Sequence, residues 1–406
     1  MTTIYITLII FVLINIPNAA GVTVPLLALY SENYKNNSNK LAMVRNYKIQ
    51  FYVTVMVGKP PQKQYVLVDT GSDITWLQGS TCQPCFAQTS DKFTREMSKT
   101  LETVSWKDDI CDGEDFIRRR SKGMGRCDYT VNYDDHCYSS GYVVRDYFRL
   151  LGSRSAITKK LYFGIATEAE PNGAFINGMI GGILGMGNTV HSLIGQISKE
   201  SRRFSVCLDS RRGSLSLGKD VPTIDGTFTN VDFIEQKYRE YAWHYELVFS
   251  GVRVNNQIVD LSTVRNMQRI IIDTGSTNTY IGGQLYDLMT AALKEYFFQQ
   301  HYLTISNGHN GYNLCYLYSG NIFPAPDVIL PEVRFYFPGG EQVFMSFQGG
   351  QIFKEYRINR SPLICFKLIR QEGDSSLLGG EQLYGLLLVF DFKSQKLFYR
   401  SQDCRM

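Results

Sequence analysis

The chain has 406 residues, 44% of them apolar, with 42 basic and 38 acidic side chains giving a net charge of +4. That length and apolar share exclude a largely disordered protein and leave room for two buried cores. The near balance of charge excludes nucleic acid or an anionic membrane as the main partner. Taken in chain order, the first element is ITLIIFVLINIPNAAG. It is too short to span a bilayer and suits a secretory signal over residues 1–20, cleaved near Ala20. A short pro-like or N-terminal segment, 21–46, follows and carries a glycosylation sequon at Asn36; a second sequon lies at Asn359. No later stretch is apolar enough for a membrane anchor.

YKIQFYVTVMV (47–57) alternates apolar and polar residues and reads as a strand. VLVDTGSDITW (66–76) ends an apolar strand on Asp69, with a small-residue turn behind it. Cys82 and Cys85 have CxxC spacing, but no second pair or nearby histidines complete a metal site. Structural disulfides are the expected use of the nine cysteines, with one left over, in keeping with an oxidising compartment. The basic run Arg118-Arg119-Arg120 sits in a polar stretch that reads as a solvated loop. SLIGQISKESRR (192–203) and GQLYDLMTAALKEYFFQQ (283–300) have helical periodicity. A Gly-, Ser- and Pro-rich stretch near 210–225 divides the chain into lobes 47–215 and 216–406. Beyond it, IIIDTGSTNTY (270–280) repeats the earlier motif, and EVRFYF (332–337) reads as a strand.

The repeat is the informative feature. It pairs Asp69 with Asp273, Thr70 with Thr274, Gly71 with Gly275, Ser72 with Ser276 and Trp76 with Tyr280. An apolar-apolar-Gly element follows each copy, Ile183-Leu184-Gly185 and Leu377-Leu378-Gly379. One DTGS alone is compatible with a turn. Two with matching flanks suggest halves related by a pseudo-twofold axis, each delivering an acid to a shared cleft. Two carboxyls that close hold one proton between them, giving a base and an acid side by side for activating water against a peptide carbonyl. Under this reading Gly71 and Gly275 let the backbone turn, Thr70 and Thr274 bond across the axis, and the Ser72 and Ser276 hydroxyls bond the outer carboxylate oxygens. No GxSxG elbow or HExxH motif offers another hydrolytic chemistry, and neither cofactor nor metal is expected.

On these motifs the chain resembles the pepsin-type aspartic proteases, and within them the plant nepenthesin-like or nucellin-like branch. FYVTVMVGKPPQKQYVLVDTGSDITWLQGSTCQPC resembles that branch's catalytic motif and following cysteine pair. CDYTVNYDDHCYSSGYVVRDYF (127–148) resembles its flap hairpin, and LLGGEQLYGLLLVFDFKSQKLFYRSQDC resembles its C-terminal end. The resemblance implies a mostly β, bilobal fold of two pseudo-twofold-related, β-barrel-like lobes with a cleft between them. It implies that Asp69 and Asp273 form the catalytic dyad, that Tyr133 is the flap tyrosine and that Trp76 hydrogen-bonds it. It pairs Cys207 with Cys404 and Cys315 with Cys365; Cys82, Cys85, Cys111 and Cys127 make two further bridges of open connectivity, and Cys137 is left over. Substrates are expected to be extended polypeptides between walls that include Trp76, Tyr133 and Tyr280. Pepstatin inhibition, a monomeric state and a secreted destination, apoplast or alternatively vacuole, are further expectations. Three departures stand out: the segment before the first strand is short for a prosegment, the flap reads Tyr133-Asp134-Asp135-His136-Cys137 where small residues are usual, and the first-lobe insert has few cysteines. The competing reading is a protease-like binding or inhibitor protein without catalysis.

Overall fold

In a computed structural model the described residues are 21–32, 47–111, 117–119, 125–134, 136–152, 155–170, 178–197, 202–210, 212–235, 244–264, 268–300, 303–306, 308–318, 329–358 and 361–404. The signal expected over 1–20 and both sequons, Asn36 and Asn359, lie outside them. The fold is mostly β and bilobal, of the pepsin-like kind. Strand β1 (Val22–Glu32) pairs antiparallel with Arg212–Leu217 on one side and with β2 (Tyr47–Val57) on the other. In β2 the alternation seen in the sequence becomes a buried face of Phe51, Val53, Val55 and Val57, with Tyr52, Thr54 and Met56 half-buried opposite. Beside it runs β3 (Gln62–Asp69), whose Val66, Leu67 and Val68 are all buried, because both of its faces are covered.

The two halves repeat one local topology. In the first, β3 pairs in parallel with Gly182–Gly185, setting Asp69 opposite Gly185, and β4 (Trp76–Gln78) returns antiparallel along the same strand. In the second, Arg269–Asp273 pairs in parallel with Ser376–Gly379, setting Asp273 opposite Gly379, and Tyr280–Gly282 returns antiparallel at Leu377. Even the buried hydroxyls correspond: Gly185 N–H donates to Thr75 Oγ1 at 3.1 Å and Gly379 N–H to Thr279 Oγ1 at 2.9 Å. The glycines are required because a Cβ at Gly185 would lie 2.0 Å from the Asp73 carbonyl oxygen, and one at Gly379 would lie 2.1 Å from that of Asn278.

The first-half sheet is completed from the far end of the chain. Leu386–Asp391 pairs with Arg203–Leu208, and Lys396–Ser401 adds outside it. A bridge between Cys207 and Cys404 fastens this arrangement. The other bridges join Cys82 to Cys85, Cys111 to Cys127 and Cys315 to Cys365; Cys137, outside them, is buried and its thiol points at the Glu170 carbonyl oxygen, 2.9 Å away. Because Cys207 and Cys404 are 197 residues apart, their bridge removes much freedom from the unfolded chain. Replacing both by serine is expected to cost about 2–5 kcal/mol, read as a lowered midpoint of thermal unfolding under non-oxidising conditions.

Two local expectations change. Ile117–Arg119 is a strand paired with Cys127–Tyr129, not a loop, since the edge of the flap hairpin leaves backbone groups that it satisfies. The second expected helix forms over Gly283–Phe298, whereas the first is helical over Leu193–Ile197, with 198–201 outside the described residues. Among the described residues no helix is long and apolar enough to cross a membrane.

Candidate active site

Asp69 and Asp273 end their strands facing one another. A Cβ on Gly71 would lie 2.8 Å from Asp273 Cγ, and one on Gly275 would lie 2.3 Å from Asp69 Oδ1. Each glycine therefore makes room for the other half's carboxyl. This differs from the expected reason for these residues, a sharp turn, because neither has positive φ.

The threonines lock the two loops. Thr70 N–H donates to Thr274 Oγ1 at 3.2 Å, and Thr274 N–H donates to Thr70 Oγ1 at 3.0 Å. Each hydroxyl in turn donates across the axis at 2.9 Å, Thr70 to the Ile272 carbonyl and Thr274 to that of Val68. All four bonds are buried, where an unmade partner is costly, so the spacing of the acids is tightly held.

The two carboxyls are treated differently by their surroundings. Asp69 Oδ1 accepts from Gly71 N–H at 2.8 Å, and Oδ2 accepts from the Ser72 hydroxyl. Asp273 Oδ1 accepts from Gly275 N–H at 2.8 Å and Ser276 N–H at 3.3 Å. The Ser276 hydroxyl, expected to mirror Ser72, instead donates to the Asn278 carbonyl at 3.1 Å, because the loop turns that acceptor into its reach. Burial raises both acids above the ordinary carboxylate value. For Asp69 it is opposed by hydrogen bonds from Ser72, Asp273 and the Gly71 and Ser72 amides; for Asp273 the charge of Asp69 and the bond between the two acids push further up, against the Gly275 and Ser276 amides. The surroundings thus push Asp273 further up than Asp69. They titrate as a pair.

Over Asp69 lies the tip of a hairpin formed by Cys127–Asn132 and Tyr138–Leu151. Trp76 Nε1 donates to the Tyr133 hydroxyl oxygen at 2.8 Å, and that hydroxyl is also hydrogen-bonded to Ser72. Burial and the Asp69 charge hold the phenol well above its usual range, so it stays a neutral bridge at all working pH values. The tip is cinched by Tyr133 N–H to the Cys137 carbonyl and His136 N–H to that of Tyr133, both 2.9 Å, with His136 exposed in the left-handed region at φ 66°. Asp135 is outside the described residues. Tyr280 is half-buried on the other half of the molecule and stands near Tyr312.

Two buried pairs of ionisable side chains near the dyad had no signature in the sequence. Lys367 Nζ meets Glu381 Oε2 at 2.6 Å, just beyond Gly379 and Gly380. Asp73, on the Asp69 loop, faces His191. Each joins residues that are unremarkable in their own stretch, and only the crossing of strands brings them together.

Comparisons with known proteins agree with this architecture. The model for the xylanase inhibitor N-terminal family matches residues 51–219, and that for the xylanase inhibitor C-terminal family matches 244–401. Aspartyl protease AED1 of Arabidopsis thaliana is 24% identical over 397 residues, covering 93% of this chain and 79% of that protein. Aspartic proteinase nepenthesin-1 of Nepenthes gracilis is also 24% identical, over 87% of this chain and 78% of its own. Among solved structures, that of edgp superposes with a TM-score of 0.69 at 17% identity over 94% of this chain and 95% of that one. Basic 7S globulin from soybean gives 0.68 at 14% identity, over 95% of each chain.

Proposed function

This chain belongs to the pepsin-type aspartic proteases, within the group whose two halves match the xylanase inhibitor models, and we propose from that membership that it is an aspartic endopeptidase of the secretory pathway, acting outside the cell or in the vacuole. The observation that carries the reading is the unequal pair: Asp69 held as the anion by Ser72 and Gly71, and Asp273 pushed to keep its proton by burial and by Asp69 itself. A water between them gives its proton to Asp69 as it attacks the peptide carbonyl, while Asp273 donates to the carbonyl oxygen. One hydroxyl of the resulting gem-diol then returns its proton to Asp273 as the carbonyl re-forms, and the amine leaves with the proton that Asp69 carries. No covalent intermediate forms. Substrate lies extended in the cleft beneath the flap, its backbone bonding the hairpin, with Tyr133 and Tyr280 among its apolar walls, whereas Trp76, expected there, is fully buried and supports Tyr133 from behind.

The second reading, a binding protein on the same scaffold, is favoured by the names of the matching family models and of the soybean globulin. Both acids, both glycines and both threonines are in place here, which a purely binding role does not require. A digest of denatured casein from pH 3 to 7 decides: cleavage that pepstatin abolishes supports the protease, and intact casein at every pH supports the binding protein.

Tyr133 supplies a finer expectation. Tyr133→Phe removes the oxygen that receives the Trp76 N–H and bonds Ser72, leaving a buried indole donor unsatisfied. Its kcat/KM is expected to fall by about 10-fold, equivalent to a lost hydrogen bond of about 1–1.5 kcal/mol, and its thermal unfolding midpoint is expected to fall with it.

A further inference from the structure

Strand β1 begins hard against another part of the chain. Its first pair is Val22 with Leu217, and beyond Leu217 the backbone turns at Gly218, with φ 63°, into the single 3-10 turn Gly218–Asp220. That turn closes over Gly21, which is buried. A Cβ on Gly21 would lie 2.5 Å from the Asp220 backbone nitrogen and 2.5 Å from Lys219 Cγ, and closer still to Asp220 Oδ1. The other side is enclosed too, since a Cβ on Gly152 would lie 2.3 Å from the Thr23 carbonyl oxygen. From there Val22, Val24 and Leu26 run into the main core, and the hydroxyls of Thr23 and Ser216 meet at 3.1 Å. Residues 22–32, which the sequence places in a pro-like or N-terminal segment, are a central strand with neighbours on both sides.

Asp220 is half-buried, and its carboxylate has no hydrogen bond or ion pair among the described residues. Lys219 beside it is exposed. A carboxylate partly withdrawn from water is stabilised by a cation at its side. The Gly21 nitrogen is bonded to the same Cα as the crowded Cβ position, about 2.5 Å from it, so a charge placed on that nitrogen stands beside Asp220. In the continuous chain the nitrogen is a neutral amide. Freed as a chain end it is an ammonium below its ordinary value near 7.7–8.0.

We propose that removal of the leader between Ala20 and Gly21 supplies this cation: the new α-ammonium of Gly21 pairs with Asp220, and β1 stays in the finished protein as its first strand. A signal peptidase of the secretory pathway adds water across the Ala20–Gly21 amide. The carboxylate leaves with residues 1–20, and the amine stays on Gly21 and takes up a proton. A neutral link thereby becomes a charge at a point where a carboxylate already stands. The pair pins the start of β1 to the turn after Leu217. Because β1 carries β2, and β2 carries the strand that ends on Asp69, the sheet beneath the dyad is steadied from its outer end. This inference rests on the secretory part of the reading above and not on catalysis.

The test starts with the chain secreted from a eukaryotic host, its first residue read by mass spectrometry. Gly21 is expected. A secreted chain that begins anywhere else overturns the proposal and leaves the secretory reading standing, whereas a chain kept in the cell with its leader attached overturns both. The pairing is read by acetylating the folded protein with limiting acetic anhydride at pH 7 and following the N-terminal peptide, with the exposed Lys393 as internal reference. Pairing keeps the amine protonated and unreactive, so Asp220→Asn should raise the acetylation rate at Gly21 by about 10-fold relative to Lys393, as for a fall of about one unit in the amine's pKa. Equal relative rates in wild type and Asp220→Asn overturn the pairing. If Asp220→Asn is not secreted, one alanine inserted between Ala20 and Gly21 decides: its displaced amine should react at the faster rate, and a rate equal to wild type overturns the proposal.

Discussion

Replacing Asp273 by asparagine is expected to lower kcat on an unfolded protein substrate by about 10²–10⁴-fold, the range in which a positioned general acid contributes. An amide fills the same space and keeps the bond from Gly275 N–H, so the loop should persist, but it has no acidic proton for the carbonyl oxygen of the substrate. The same change has an opposite effect on stability. Both acids are held above the ordinary value of 3.8, so the folded chain binds their protons more tightly than the unfolded chain does. That contribution is complete below pH 3.8 and is lost as pH rises through the raised folded values. Wild type should therefore lose thermal stability as pH climbs out of the acid range, and Asp273→Asn should lose less, since its amide never charges. An Asp273→Asn protein with unchanged turnover removes the acid from the mechanism; one with the wild-type stability slope removes the claim that burial perturbs the pair. For activity, the alkaline limb should lie above the usual carboxylate range, because it reports the last proton leaving the dyad.

Gly275→Ala is expected to be as damaging through geometry alone. Its Cβ would lie 2.3 Å from Asp69 Oδ1, 2.4 Å from Cγ and 2.8 Å from Oδ2, so the carboxyl or the loop must move. The loop has little freedom to do so. The Gly275 carbonyl accepts from Gln50 Nε2 at 2.9 Å, its N–H is committed to Asp273, and Thr274 is buried in the crossed bonds with Thr70. A displacement of about 1 Å at a reacting group costs on the order of 10²-fold, and overpacking destabilises by about 1–3 kcal/mol. The control is Gly226→Ala, where an added Cβ meets nothing within 4 Å. Its rate and unfolding midpoint should match wild type. Full activity in Gly275→Ala would mean the acids do not meet as described.

The features legible in the sequence were those that each half carries within one short stretch. Asp69 and Asp273, their threonines and their glycines form two copies of a local motif, and the two apolar-apolar-Gly strands form two more. Symmetry misled at Ser276, whose hydroxyl follows the Asn278 carbonyl that its own loop places nearby, not its counterpart Ser72. It also misled on why the glycines are needed, since the close approach comes from the opposite half and leaves no mark on local backbone preference. The His191–Asp73 and Lys367–Glu381 pairs were out of reach for another reason. Each joins residues of different strands or loops, 118 residues apart for the first pair and 14 for the second, so neither residue sits in a periodic pattern that singles it out. The arginine run at 118–120 read as loop because its charge outweighed the open hairpin edge next to it, and edges are set by tertiary pairing.

The dependence of the first-half sheet on Leu386–Asp391 also bears on how the chain is made. Synthesis runs from the N-terminus, so Arg203–Leu208 emerges well before the strand that covers it. Until then it presents an unpaired edge beside a largely formed core, the kind of surface that invites pairing with another chain. A chain truncated before Leu386 would leave that edge open for good, and Cys207 without Cys404. Such a product is expected to be aggregation-prone, so the first-half sheet depends on strands made last.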